Sequence, residues 1–201
     1  MDKVCCIILN YNDASTTMSL VDEIREYDCL DSIVVVDNCS TDGSWKQLKA
    51  LRDLDKVHVL RTEENGGYGS GNQAGIDYAV TYLEAGYVII ANPDIHVRAC
   101  CIERVKLALD GMPEAVMASA RVTSPEGGDL FSYWTLLPMW KDLLDTGLIT
   151  RRLFKPMLNT PAYRLKEGGD EGCRLVDAVP GSFFMLKLGL LTPQEIKELF
   201  D

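Results

Sequence analysis

A chain of 201 residues with 47% hydrophobic content can bury the core of one α/β domain, and disorder is excluded as its default state. The formal net charge of -10 argues against a nucleic-acid partner, and no apolar run reaches the roughly 20 residues of a membrane span. Met1-Asp2-Lys3 leads straight into an apolar stretch and is no signal peptide, so a cytoplasmic protein is expected.

The predicted elements alternate strand and helix. Lys3 to Leu9 is a β-rich apolar strand, and Ser15 to Tyr27 carries Leu20, Val21, Ile24 and Tyr27 on one helical face. Ser32 to Val36 is the second strand, Thr41 to Leu54 a helix, and Lys56 to Leu60 the third strand. Ile76, Ala79, Val80 and Leu83 stripe the next helix, Tyr87 to Ala91 is the fourth strand, and Ile102, Val105 and Leu109 stripe a fourth helix. Ala115 to Val122 reads as a fifth strand. Continuous apolar strands between amphipathic helices predict a mostly parallel central sheet with helices on both faces and right-handed crossovers.

The character changes after Ser124-Pro-Glu-Gly-Gly128. Leu130 to Asp170 reads as irregular and aromatic, with Tyr133-Trp134, Pro138-Met-Trp140 and Arg151-Arg152. Cys173 to Val179 and Phe183 to Leu188 read as strands joined at Pro180-Gly181. The helix Thr192 to Phe200 opens with Thr192 as N-cap, Pro193 behind it and Glu195 closing a capping box. The predicted organisation is one domain over 1–201, with a ligand-binding half at 1–122 and a partial second half at 123–201. Seven cysteines, an odd number without a CxxC pair, read as reduced and mostly buried thiols.

In an open parallel sheet, ligands bind beyond the carboxyl ends of the strands. Those ends here are Asn10-Tyr11-Asn12, Asp37-Asn38-Cys39-Ser40-Thr41-Asp42-Gly43, Glu63 through Asn72, and Asn92-Pro93-Asp94. Each has a plain reading as loop or cap, and together they describe one site. Asn10, Tyr11 and Asn12 can wall a nucleotide base with an aromatic face and amides. Asp37 is either an Asx-turn former or an acceptor for the N3–H of uracil or thymine. Ser40 and Asp42 read as caps for the next helix.

Asn65-Gly-Gly-Tyr-Gly-Ser-Gly-Asn72 lets backbone approach a ligand, and the helix after it presents a positive dipole end to a pyrophosphate. Gly69, Gly71 and Ala74 also fit the dinucleotide fingerprint, with Asp94 downstream as its acid. Against that reading, Thr62 to Asn65 separate the glycines from the strand, and Glu63 and Glu64 repel phosphate. Pro93 ends strand pairing and leaves Asp94 at the tip, where one carboxylate beside a diphosphate is the usual partner of Mg²⁺ or Mn²⁺. Asn92 can support that ion weakly, and His96 reads as structural.

IILNYN, VVVDNCSTDGS, ENGGYGSGNQAGI and ANPDI resemble, in order and spacing, the family 2 glycosyltransferases of the GT-A (Rossmann-like) fold. VDAVPGSFFMLK is similar to the later segment of the rhamnosyltransferase-like branch. The likeness covers about residues 3–122 and 174–188. It implies that Asn10, Tyr11, Asn12 and Asp37 contact base and ribose, and that Asn65, Gly66, Gly67, Gly71 and Asn72 lie near ribose, diphosphate or donor sugar. Asn92-Pro93-Asp94 stands where the family has Asp-x-Asp, so Asp94 keeps the metal-binding carboxylate and Asn92 departs from it. Pro180, Gly181 and Ser182 would line the acceptor side, with Asp177 a further catalytic candidate.

The resemblance implies an inverting hexosyltransferase. It would move a sugar from dTDP-rhamnose or a UDP-hexose to a polysaccharide or lipid-linked glycan, with Mg²⁺ or Mn²⁺. The family continues into a Gly-Phe-Asp-Glu segment and an acidic pair that supplies the general base. Leu199-Phe200-Asp201 resembles the start of that segment, so the chain is expected to be truncated on its acceptor side. The open alternatives are a nucleotide-sugar-binding domain without turnover, a nucleotidyltransferase of similar sheet, and an NAD-dependent oxidoreductase. Arg151, Arg152 and Lys155 beside Leu153 and Phe154 are the patch through which an acidic chain can meet the inner face of a membrane. The aromatic Tyr133 to Trp140 region can shape an acceptor cleft or a homodimer contact.

Overall fold

The structure is a computed structural model, and it describes residues 3–124, 127–128, 133, 139–146, 148–153 and 172–200. Trp134, Pro138, Phe154, Lys155 and Asp201, all singled out above, lie outside the described residues. The chain divides into two compact units, Met1–Ala120 with Gly181–Asp201, and Arg121–Pro180.

The first unit holds a six-stranded sheet in the order β3-β2-β1-β4-β6-β5. Its strands are β1 (Val4–Asn10), β2 (Ser32–Asp37), β3 (Val57–Arg61), β4 (Tyr87–Ala91), β5 (Met117–Ala118) and β6 (Phe183–Lys187). β1 pairs parallel with β2 and β4, and β2 with β3, while β6 runs antiparallel to β4 and β5. The helices are α1 (Ala14–Ile24), α2 (Ser44–Leu48), α3 (Gly67–Leu83) and α4 (Ala99–Gly111). The expected α/β architecture with a mostly parallel sheet is present.

Alternation along each strand divides the core between two faces. Val4, Cys6 and Ile8 of β1 join Leu20, Val21 and Ile24 of α1, Leu48 of α2 and Ile102, Val105 and Leu109 of α4 in one cluster. The opposite face of β1 meets α3, and there glycine decides the packing. A Cβ on Gly75 would stand 2.6 Å from Ile7 Cγ2 and 3.2 Å from Val36 Cγ2. Both partners are β-branched and fully buried, so neither can swing aside. Gly75→Ala is therefore expected to cost about 1–3 kcal/mol by overpacking, although alanine is intrinsically the better helix former by about 1 kcal/mol. Urea unfolding checks this; an unchanged midpoint would contradict the close approach.

Several expected elements changed. The helix predicted from Thr41 begins at Ser44, because Gly43 takes φ 91 ahead of it, and it gives way to a 3₁₀ turn over Lys49–Asp53. The fifth strand shrinks to two residues because the Ser119 hydroxyl donates to Phe183 O at 2.6 Å and interrupts the ladder. Cys173 to Val179 forms no strand beyond a single bridge residue at Ala178, and Leu175 is exposed. All seven cysteines are free, but only Cys5 and Cys6 are buried, which corrects the expectation of mostly buried thiols. Burial pushes the Cys5 thiol up to about 11 and Cys6 higher still, so both are inert packing groups.

In the second unit, α5 (Met139–Thr146) and α6 (Leu148–Leu153) replace part of the segment read as irregular. The Thr150 hydroxyl donates to Leu144 O at 2.7 Å, fastening one to the other. Back in the first unit, α7 (Pro193–Lys197) has the predicted capping box: Thr192 Oγ1 accepts from Glu195 N, and Glu195 Oε2 accepts from Thr192 N at 2.7 Å. Among the described residues no helix is long and apolar enough to cross a membrane.

Candidate functional site

From β1 the chain moves outward through β2 to β3, then returns across β1 to place β4 on its other side. The carboxyl ends of β1 and β4 therefore flank a switch point, the position where open α/β sheets bind ligands. Asn10-Tyr11-Asn12 leaves β1 there and Asn92-Pro93-Asp94 leaves β4.

Asn10 and Asp37 are paired in register across β1 and β2, and both are fully buried. Asn10 Nδ2 donates to Asp37 Oδ1 at 2.9 Å and to Ser40 Oγ at 3.0 Å, while Asn10 Oδ1 accepts from Thr17 Oγ1 at 3.0 Å. Asp37 Oδ2 lies 3.3 Å from Arg61 Nε and takes no aligned hydrogen bond, so that contact is held by charge. Arg61 also donates to Ser40 O at 3.1 Å and lies over the Trp45 ring at 5.5 Å. Asn10 and Asp37, expected to contact base and ribose, lie in the floor of the site and turn polar atoms toward one another and Arg61, and Asp37 Oδ2 is buried without a hydrogen-bond donor among the described residues.

The rim above them is tied just as closely. Ser40 Oγ accepts from Asn12 N at 2.9 Å, and Asn12 Oδ1 accepts from Thr41 N at 2.8 Å. Ser40 therefore crosslinks two strand ends instead of capping α2. Asp42 does accept from Ser44 N at 2.9 Å, and hydrogen bonding from the Ser44 side chain and backbone draws its carboxyl below the usual range. Asn12 sits at φ 56, an αL position that asparagine tolerates. Tyr11 remains half exposed, with its ring available as a surface.

The glycine stretch is less of a loop than its composition implies. α3 begins at Gly67, directly behind its N-cap Gly66, which brings no capping side chain. Asn65 Oδ1 accepts from Gly67 N at 3.0 Å and from Asn38 Nδ2 at 2.8 Å. Asn38 also donates to Gly67 O at 3.0 Å and accepts from the Thr62 hydroxyl at 3.2 Å. The start of α3 is thus lashed to the end of β2. Gly71 lies inside the helix against the sheet: a Cβ there would meet Leu9 Cδ1 at 2.3 Å and Asn38 Cγ at 3.3 Å. Asn72 is buried and donates to Tyr68 O at 3.0 Å. Gly71 and Asn72 lie within α3 and are buried, with Asn72 Oδ1 lacking a donor among the described residues, while Asn65, Gly66 and Gly67 stand at the helix start. The dinucleotide fingerprint fails for the same reason: Gly69 and Gly71 are helical, where the fingerprint needs them in the turn after a strand.

Asp94 is exposed and has no hydrogen-bond or ion-pair partner among the described residues. Its turn is anchored by Asn92 N, which donates to Ser182 O at 2.9 Å as β6 begins. His96 points elsewhere, to Glu23 Oε2 at 2.7 Å, in agreement with its structural reading. No group of three or more His, Cys, Asp or Glu that could hold a metal occurs among the described residues. The donor set therefore fits an ion held by one carboxylate and by ligand phosphates, and does not fit an all-protein cage.

On the expected acceptor side, Gly181 and Ser182 belong to the first unit and Asp177 and Pro180 to the second. Tyr68 Oη donates to Gly181 O at 2.5 Å. Phe200, near the end of the chain, packs edge-on against Tyr68 at 6.1 Å. Sequence reading missed Asn38, Arg61 and Thr62 as site builders. The signal for Asn38 was there, since a buried amide needs partners and Asn65 is its complement across the cleft.

Residues 5–171 match the family described as Glycosyl transferase family 2. The low-salt glycan biosynthesis hexosyltransferase Agl10 of Haloferax volcanii is 30% identical over 100 residues, covering 48% of this chain and 29% of its own length. The mannosyltransferase PcManGT from Pyrobaculum calidifontis, solved with GDP-Man and Mn²⁺, superposes with a TM-score of 0.52 at 23% identity, covering 62% of this chain and 36% of that one. TarS 1–349 of S. aureus gives 0.52 at 19% identity, covering 67% of this chain and 41% of that one. The chain thus spans 29% to 41% of the length of these proteins. The structural likeness shows the shared GT-A fold.

Proposed function

The chain belongs to glycosyl transferase family 2, and from that membership we propose that it binds a nucleotide sugar at the carboxyl edge of its sheet and passes the sugar to an acceptor hydroxyl. One observation carries the reading: an exposed carboxylate without a partner among the described residues, Asp94, leaves the carboxyl edge of the sheet at which α3 also begins, behind an N-cap glycine that supplies no side chain. That pair of features suits a diphosphate with a divalent cation.

In this reading the ring of Tyr11 supports the base, and Asn12 and the buried Asn10–Asp37 pair shape the surface beneath it. Asn65, Gly66 and Gly67 present backbone to the phosphates. Asp94, with Asn92 beside it, would hold Mg²⁺ or Mn²⁺, which when bound supplies Lewis-acid stabilisation to the leaving diphosphate. Acidic groups at Asp13, Asp42, Glu63 and Glu64 on the same loops would otherwise repel a diphosphate, so the cation offsets a real penalty. Transfer breaks the bond between the sugar C1 and the phosphate oxygen, forms a bond from C1 to the acceptor oxygen with inversion, and sends the hydroxyl proton to a base. Pro180, Gly181 and Ser182 are the proposed acceptor-side residues, with Asp177 a further catalytic candidate.

The donor we favour is dTDP-rhamnose or a UDP-hexose. The hexosyltransferase name of the Haloferax relative supports a hexose. A polysaccharide or lipid-linked glycan is the proposed acceptor. The proposed setting is the cytoplasm, at or near the inner membrane face, with a homodimer through the aromatic segment as a further proposal. Residues 1–122 would serve the donor and 123–201 the acceptor.

Incubating the chain with Mn²⁺ and dTDP-, UDP- or GDP-sugars tests the reading. Release of the matching free nucleoside diphosphate is the expected result. Binding without any release would favour a donor-binding domain, which is the second reading that the chain's short span relative to its relatives keeps open.

A further inference from the structure

We propose that Tyr68 is a positioning residue that braces the donor side of the site against the turn bearing Asp94. The brace runs through one short segment, Gly181-Ser182. Tyr68 Oη donates to Gly181 O at 2.5 Å. The next carbonyl, Ser182 O, accepts from Asn92 N at 2.9 Å. Two successive carbonyls therefore grip two different turns, one at the start of α3 and one at the end of β4. Their separation is set by a rigid phenol and a single peptide unit.

The surroundings keep that phenol in place. Its ring meets Phe200 edge-on, with planes at 75°. Gly69 lets Phe200 approach, since a Cβ there would come to 3.0 Å from Phe200 O. Gln73 Nε2 donates to Ile196 O at 2.8 Å and fixes α7 alongside α3. Burial raises the Tyr68 hydroxyl above its ordinary range, which keeps it protonated as a donor. Yet Tyr68 is 42% exposed, so core packing alone does not account for it. A phenylalanine would fill the same space; what it would lack is the hydrogen bond to Gly181.

The consequence rests on the proposed function. Phosphates at the start of α3 and a cation on Asp94 have to meet at a fixed distance, and Tyr68 sets that distance. Its loss should lower the affinity of nucleotide in the presence of the cation and leave cation-free affinity alone, because coupling between two ligands is reciprocal and separable from either alone.

The experiment compares wild type, Tyr68→Phe and the control Tyr82→Phe, a residue 71% exposed on the far part of α3. Hydrogen exchange of the Asn92 amide is read first, with no ligand present. A hydrogen bond's worth of support predicts exchange faster by roughly 2- to 12-fold in Tyr68→Phe and unchanged in Tyr82→Phe. UDP and dTDP affinities are then read with Mn²⁺ and with EDTA. The Mn²⁺-dependent gain should shrink about 3- to 10-fold in Tyr68→Phe, with the EDTA value unmoved. Unchanged Asn92 exchange overturns the brace, and so does faster exchange with an intact Mn²⁺ gain. If wild type binds no nucleotide at all, the transferase reading fails, and Asn92 exchange alone decides the brace.

Discussion

Asp94→Ala is expected to remove the metal-dependent part of nucleotide affinity, on the order of 10- to 100-fold, which corresponds to roughly 1.4–2.8 kcal/mol. The carboxylate stands at the end of β4, exposed and without a partner among the described residues. Nothing in the fold depends on it, so thermal stability should stay within about 0.5 kcal/mol of wild type. That separation is the point of the variant. A residue that only shapes the turn would alter stability and binding together, whereas a metal ligand alters binding alone, and only when Mn²⁺ is present. Titrating UDP or dTDP into both proteins, with Mn²⁺ and with EDTA, reads the difference. Asn92→Asp is the complementary change: it restores the family's second acid and should raise Mn²⁺ affinity, since the departure at Asn92 leaves a single carboxylate.

Asp37→Ala should act in the opposite way, through the fold first. Its carboxylate is completely buried and carries Asn10 on one oxygen and the charge of Arg61 on the other. Removing it leaves the guanidinium without its counter-ion. Arg61 is 37% exposed, so water recovers part of that loss, and the 3–5 kcal/mol typical of breaking a fully buried pair is too much. The expected cost is about 1.5–3 kcal/mol, the range of a hydrogen bond to a charged group. Urea unfolding should show the midpoint falling with little change in slope. Nucleotide affinity should fall as well, because Ser40, Asn12 and Thr41 are linked to the same network. Stability equal to wild type would mean that the buried pair contributes nothing net.

The strands and their order of appearance were legible because continuous apolar runs have few alternatives. Val4 to Asn10 and Tyr87 to Ala91 are buried throughout or nearly so, as their composition requires. The strand ends were legible for a related reason, since polar residues collect where ladders stop. What the sequence could not convey was direction within a polar cluster. Asn10 and Asp37 look like separate loop residues in one dimension, and only the register that pairs them shows that Asn10 Nδ2 donates to Asp37 Oδ1. The glycines of 66–71 look like a loop, yet most of them begin a helix, because glycine here serves close packing on Leu9 and Phe200 rather than flexibility. Arg61 gave no signal at the end of an edge strand. Its importance depends on Trp45 and Asp37, which lie far from it in the chain but adjacent in space.

The most direct test of the central claim is calorimetric titration of the chain with UDP, dTDP, GDP and NAD, each with Mn²⁺ and again with EDTA. The account predicts that a nucleoside diphosphate binds with Mn²⁺ and weakens sharply in EDTA, and that NAD does not bind. Binding of NAD that is indifferent to EDTA, with no diphosphate binding, would contradict it.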